Sequence, residues 1–224
     1  MTIVFTTILG GSDSLKPAPA GADQCVCFVD DASRYQDTMG WDLRETHVGD
    51  ADPRRRAWQL RCVPHQLFDQ AYDRVVWIDA SFTLTNLPRL LRDAGDAPIA
   101  ALRHHVRTSC YEEGHTVVLS GQARAQDVTP QVSGYRKAGF KPSHLSISCI
   151  LVRDRSVTAA RFNETWAHEI NTHLGDNTQL SLDYSAWTNG TEIRALRGTR
   201  HDNPYGVHDH ADHKRRRKPY WVPA

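Results

Sequence analysis

Asp79 and Ser81 close the stretch YDRVVWIDASF, Tyr72 to Phe82, behind a short continuous apolar run of Val75, Val76, Trp77 and Ile78. Such a run suits a strand covered on both faces of an α/β sheet, which leaves Asp79 at the strand's carboxyl end. A carboxylate there can hold a hard divalent cation, Mn2+ or Mg2+, with a hydroxyl or water in the next position, and through it a diphosphate. An Asp at a strand end also caps the following turn through its own side chain, and the tripeptide Asp79, Ala80, Ser81 alone favours that reading.

Three other stretches carry chemistry of the same kind. PRRRAWQLR places Arg54, Arg55, Arg56 and Arg61 on or near one helix, where guanidinium forks can grip a diphosphate or simply face water. HLGDNTQLSLDY sets Asp176, Asn177, Gln179 and Ser181 at a helix start; N-capping by Asp176 or Asn177 explains it equally well. The tail HDNPYGVHDHADHKRRRKPYW gathers His201, His208, His210 and His213 beside Asp202, Asp209 and Asp212, followed by the basic run Lys214, Arg215, Arg216, Arg217, Lys218. Imidazoles at that density can ligate a metal and the basic run can meet phosphates, while a solvated terminus is the commoner explanation.

These groups need a scaffold, and alternating strands and helices supply one. Strands are expected at Thr2 to Ile8, QCVCFVDD, DLRETHV, the Val75 to Ile78 run, APIAALRH, SISCILVRD and TEIRAL. Helices are expected from Asp52 as N-cap with Pro53 at the first position, over NLPRLLRDAG closed by Gly95, and over the stretch from Cys110 to Phe140 with an interruption near Pro130. Two more follow: an amphipathic helix with Val157, Ala160, Phe162, Trp166, Ile170 and Leu174 on its apolar side, and one over GDNTQLSLDYSAWTNG.

The pattern predicts a single α/β domain with a mainly parallel central sheet flanked by helices, over residues 1–200. Residues 201–224 form the His-rich, basic tail, expected to pack over the site. Ligands of such sheets bind outside the carboxyl ends of the strands, which gathers the first-strand loop, Asp30, Asp31, Asp79, His104 and His105 as one candidate cleft. The loop TTILGGSD lacks the spacing of a dinucleotide fingerprint or a Walker loop, so a kinase or simple dehydrogenase is disfavoured.

Composition narrows the field further. The 224 residues suit one domain, and a formal net charge of +1 argues for neither a nucleic-acid coat nor a membrane-surface protein. MTIVFTTILGG lacks a basic n-region and its apolar run is too short for a span, so a cytoplasmic protein without a membrane span is expected. Five scattered cysteines, Cys25, Cys27, Cys62, Cys110 and Cys149, fit neither a disulfide framework nor zinc spacing and read as reduced, partly core thiols.

Taken in order, TTILGGSDSLKP, CVCFVDD, RRRAWQLRCVPHQLF, YDRVVWIDASFTL, LRHHVRTSCYEEG, QVSGYRKAGF, ILVRDRS, FNETWAHEI and DNTQLSLDYSAW resemble one family. It is the small glycosyltransferase-like domain first catalogued as a domain of unknown function and later connected with plant mucilage and pectin synthesis. The resemblance, from about Thr2 to Trp187, implies a GT-A fold with a Rossmann-like nucleotide-binding half, a nucleotide-sugar donor such as a UDP-sugar, and a divalent metal. Asp79 would then stand at the first carboxylate of the usual Asp-x-Asp motif, with Ser81 at the second. The metal ligands implied are Asp79 and Ser81, with a late His208 or His210. Where the family has Arg-Asp-Gln-Leu-Ser, this chain has GDNTQLS, with Gly175 at the arginine.

The resulting expectation is sugar transfer from a nucleoside diphosphate to an acceptor hydroxyl. Thr6, Thr7, Gly11, Asp30, Asp31, Arg55, Arg61, Asp79, Ala80, Ser81, His104 and Gln179 are the donor-binding candidates, and Asp176, Glu113 and Glu112 the catalytic ones. The acceptor is left open among a polysaccharide or glycoconjugate, a lipid-linked sugar, a small metabolite, and a modified DNA base met by the Lys214 to Lys218 run. The rivals are a non-catalytic nucleotide or polyanion-binding module and a nucleotidyltransferase.

Overall fold

The structure is a computed structural model that describes residues 1–47, 52–68, 72–173 and 177–209. In chain order its strands are β1 (Thr2–Ile8), β2 (Gln24–Val29), β3 (Asp42–Glu45), β4 (Arg74–Ile78), β5 (Phe82–Leu84), β6 (Ile99–Arg103), β7 (Ser146–Asp154), β8 (Arg194–Ala195) and β9 (Gly206–His208). Its helices are α1 (Pro53–Cys62), α2 (Pro64–Leu67), α3 (Leu87–Ala94), α4 (Cys110–Leu119), α5 (Ala125–Lys137), α6 (Val157–Thr172) and α7 (Gln179–Thr188).

Seven strands make one sheet in the order β3-β2-β1-β4-β7-β6-β8. The pairs β1–β2, β1–β4, β2–β3 and β6–β8 are parallel, and β7 runs antiparallel between β4 and β6. The expected mainly parallel α/β sheet is therefore present. Because β2 lies on one side of β1 and β4 on the other, the chain reverses direction across the sheet at β1. This crevice at the carboxyl ends is where open α/β sheets receive ligands.

Both faces of the sheet are covered, so the central strands alternate between two cores. Ile3, Phe5, Val75 and Trp77 point to the side of α1 and α6, meeting Leu60, Phe162 and Trp166. Val4, Ile8, Val76 and Ile78 point to the other side, meeting Phe82, Leu87, Leu90 and Tyr205. The edge strand β3 is short and carries Asp42, Arg44 and Glu45, which discourages pairing with another chain.

Helix boundaries follow the local chemistry. Asp52 caps α1 by accepting from the Arg54 N–H at 3.0 Å, and Pro53 takes the first position. Gly95, at φ 53°, ends α3. The interruption expected near Pro130 falls instead between α4 and α5. Gly121, at φ 69°, lets the Gln122 N–H turn back onto the Val117 carbonyl, whereas Pro130 sits on an exposed face inside α5 and does not end the helix. On α6, Ala159 and Asn163 join Phe162, Trp166 and Ile170 in the core, while Val157 is exposed.

One pairing lies outside the sequence pattern altogether. β5 and β9 form a separate antiparallel pair, Phe82 opposite His208 and Leu84 opposite Gly206. Tyr205 anchors it: its ring is fully buried, its hydroxyl donates to Asp93 Oδ2 at 2.9 Å, and its carbonyl accepts from the Thr85 and Asn86 N–H groups. Residues 203–208 are thus tied to the body of the fold.

The five cysteines are unpaired, and all but Cys25 are buried. Burial pushes the Cys62 and Cys149 thiols up to about 12, so these side chains act as small hydrophobes. Among the described residues, no helix is long and apolar enough to cross a membrane.

Candidate functional site

The loop after β1 turns tightly because Gly10 and Gly11 both take positive φ, and a Cβ on Gly10 would lie 3.0 Å from the Pro53 side chain. Asp30, at the end of β2, accepts from the Gly10 N–H at 3.1 Å and so fixes this loop. Between the loop, the start of α1 and the end of β4 lies a cleft of about 220 Å3. Its walls include Thr7, Ser12, Arg54, Arg61, Asp79, Ala80, Ser81 and Arg200.

Arg61 is the deepest cation of the cleft, with its side chain 8 % exposed. Its guanidinium lies 4.8 Å from the centre of the Trp77 ring, donates to Ser148 Oγ at 2.6 Å and stands 3.7 Å from Asp79 Oδ1. The Arg61 Nε has no hydrogen-bond partner among the described residues. Asp79 Oδ1 also accepts from the Trp77 indole N–H at 3.0 Å. The strand-end carboxylate therefore orients two cleft residues, while the turn after β4 is closed by the backbone, the Asp79 carbonyl accepting from the Phe82 N–H.

Ser81 reaches the β9 side of the cleft. Its Oγ is 3.2 Å from His208 Nε2, which in turn accepts from Arg200 Nε at 2.7 Å. A guanidinium always donates, so the proton of the neutral ring sits on Nδ1. From His208 a file of rings continues through His201 and His105 to His104 at the end of β6, with centroid separations of 5.9, 5.5 and 4.8 Å.

His104 is locked as an acceptor: its Nδ1 takes the Val106 and Arg107 N–H groups at 3.0 and 2.9 Å. Burial, with Arg107, His105, Arg200 and His201 nearby, pushes its pKa down to about 4. Because the folded value lies below the unfolded one of 6.5, the unfolded chain binds the extra proton, and stability drains away as pH falls from about 6.5 toward 4. His104→Asn keeps an acceptor but cannot titrate. Its melting temperature is expected to fall less steeply than the parent's through that window; parallel pH profiles would refute the assignment.

The remaining sequence candidates separate from the cleft. Thr6 is buried on the opposite face of the sheet beside Trp41 and Phe82, while its neighbour Thr7 lines the cleft. Arg55 donates to the Ile170 and Asn171 carbonyls and so caps the end of α6, leaving no fork for a phosphate. Asp31 caps the short turn Ala32–Arg34 through the Ser33 N–H. Glu112 accepts from the Thr108 N–H in a capping arrangement with Ser109.

Glu113 is buried and shares its oxygens among Asn177 Nδ2, Gln179 Nε2 and the Arg107 guanidinium. Gln179 is therefore committed to Glu113. Asp176, His210 and the run Lys214 to Lys218 lie outside the described residues. Arg200 was not legible as a site residue. It sits in a polar stretch whose only signal is a local density of Arg and His, and its place depends on the β5–β9 pairing.

The family resemblance implies a divalent metal, expected at Asp79 and Ser81 with a late His208 or His210, of which His210 lies outside the described residues. As arranged, Asp79, Ser81 and His208 do not suit one: Asp79 Oδ1 faces Arg61, and the His208 lone pair is given to Arg200. Among the described residues no group of three or more His, Cys, Asp and Glu side chains is placed to hold a cation.

No protein-family model matches the chain, and no curated protein does. Among solved structures, the apo form of WbbM, a bifunctional glycosyltransferase, is similar to this chain with a TM-score of 0.51 at 15 % identity. The match covers 87 % of this chain and 38 % of that one, so this chain spans well under half of its solved neighbour. At this identity the likeness concerns the fold: a helix-flanked, mostly parallel sheet of the glycosyltransferase kind.

Proposed function

We propose that this chain transfers a sugar from a nucleoside-diphosphate sugar, with UDP-sugars the first donors to try, to an acceptor hydroxyl. One observation carries the reading: Thr7, Ser12, Arg61, Asp79, Ser81 and Arg200 crowd a single cleft at the carboxyl ends of β1 and β4. Small residues there let a nucleotide lie against the backbone, and the guanidinium groups suit a diphosphate. The glycosyltransferase-like fold supports it. The GT-A subtype and the mucilage and pectin family belong to the same proposal.

In the reaction the bond from the anomeric carbon to the β-phosphate oxygen breaks and its electron pair stays on that oxygen. The acceptor oxygen bonds the anomeric carbon and its proton passes to a base, for which Asp176 is our candidate. Charge grows on the departing diphosphate, so fixed cations aimed at it lower the barrier. A polysaccharide, a glycoconjugate or a modified DNA base are the acceptors proposed.

The test is release of nucleoside diphosphate from a panel of nucleotide-sugars, beside an Asp79→Ala control. Removing Asp79 frees both Arg61 and Trp77 from their shared oxygen, and the expected loss is about 10²-fold or more in release rate. Pyrophosphate as product would instead indicate nucleotidyl transfer, and binding without product a non-catalytic module.

A further inference from the structure

We infer that the donor's diphosphate is neutralised by Arg61 and Arg200 acting as a guanidinium clamp, with no divalent cation required. The inference rests on the nucleotide-sugar reading above and says how that site manages charge.

Among the described residues, the two strongest ligands a cation could use, Asp79 and His208, each already face an arginine. Asp79 Oδ1 lies 3.7 Å from Arg61, and the Nε2 of His208 accepts from Arg200 at 2.7 Å while facing Ser81 Oγ at 3.2 Å. A cation entering at His208 Nε2 would displace Arg200 and set its double charge beside guanidinium groups, in a site where low exposure leaves repulsion poorly screened. An anion meets the opposite field.

The arginines are also prepared for a ligand. Arg61 is nine-tenths buried, held over the Trp77 ring and anchored to Ser148, yet its Nε is unpartnered among the described residues. Arg200 spends only Nε on His208 in the contacts seen here, and its side chain borders the cleft. Guanidinium groups placed by such contacts can give several N–H bonds to phosphate oxygens with little further ordering. His208 is then a positioning residue, acting through Arg200.

As the anomeric carbon–oxygen bond breaks, the electron pair collects on the β-phosphate oxygen and the clamp meets that charge. In the absence of an acceptor, water supplies the incoming oxygen and loses its proton to solvent. No redox partner is involved.

The experiment measures nucleoside diphosphate affinity and release from nucleotide-sugars in chelator, in manganese and in magnesium, for the parent, Arg200→Gln and Arg61→Lys. Release and affinity in chelator are expected within about twofold of those with metal. Arg200→Gln is expected to weaken nucleoside diphosphate binding about tenfold or more while leaving binding of the bare nucleoside unchanged, a split that misfolding would not produce. Arg61→Lys keeps the buried charge but not the fork and is expected to slow release about tenfold or more. Binding or release that vanishes in chelator and returns with metal overturns the clamp while leaving the donor reading standing. Equal loss of nucleoside and nucleoside diphosphate affinity in Arg200→Gln also overturns it. No binding of any nucleoside diphosphate, with or without metal, overturns the donor reading itself.

Discussion

Glu113→Ala is expected to lose about 3–5 kcal/mol of stability, roughly 10 °C or more of melting temperature, without a specific defect in chemistry. The carboxylate is buried with the Arg107 guanidinium on one oxygen and the amides of Asn177 and Gln179 on the other. Truncation strands one cation and two side-chain donors at once, and the penalty of leaving buried groups unpaired is larger than the net worth of the bonds. Glu113→Gln keeps the shape and one acceptor, so it should fall between parent and Ala. Thermal unfolding together with nucleoside diphosphate release per folded molecule decides the matter. A variant that melts like the parent yet releases nothing would make Glu113 a catalytic group and refute the structural role argued for it.

Gly206→Ala should be nearly as costly, and it should carry the site with it. A Cβ there would lie 2.1 Å from the Thr83 carbonyl oxygen and 2.7 Å from the Phe82 ring, so backbone must move. Space, rather than an unusual φ, sets the requirement at this position. Overpacking of this kind costs about 1–3 kcal/mol, and a backbone obstacle puts it at the upper end. As β9 shifts from β5, His208 leaves Ser81 and Arg200 loses its anchor. Nucleoside diphosphate affinity should therefore drop along with the melting temperature. An unshifted melting curve with unchanged affinity would mean that the β5–β9 pair does not hold the cleft.

How much of this was legible depends on how local the cause is. Thr2–Ile8 could be read as a strand, and Asp52 with Pro53 as a helix start, because apolar patterning, capping and a fixed φ act within a few residues. The cleft position followed from strand ends, which is why Thr7, Arg61, Asp79, Ala80 and Ser81 came together. Arg55 could not be told from Arg61 in a run of like residues, since only the docking of α6 decides that one caps a helix and the other faces the cleft. Pro130 misled because its missing N–H is harmless on an exposed helix face, whereas the positive φ at Gly121 ends α4. β9 was invisible: three residues contribute no period, and their partner lies far back in the chain.

That distance also sets an order of events in folding. Pairings such as β1 with β2 close short loops, but the strand pair that seats Arg200 joins Phe82 to His208, across most of the chain. Loop-closure entropy makes such a contact slow to form until the intervening sheet has brought the ends together. The cleft bordered by Arg200 is consequently expected to be completed last, and a refolding chain to recover its sheet before Arg200 reaches its place.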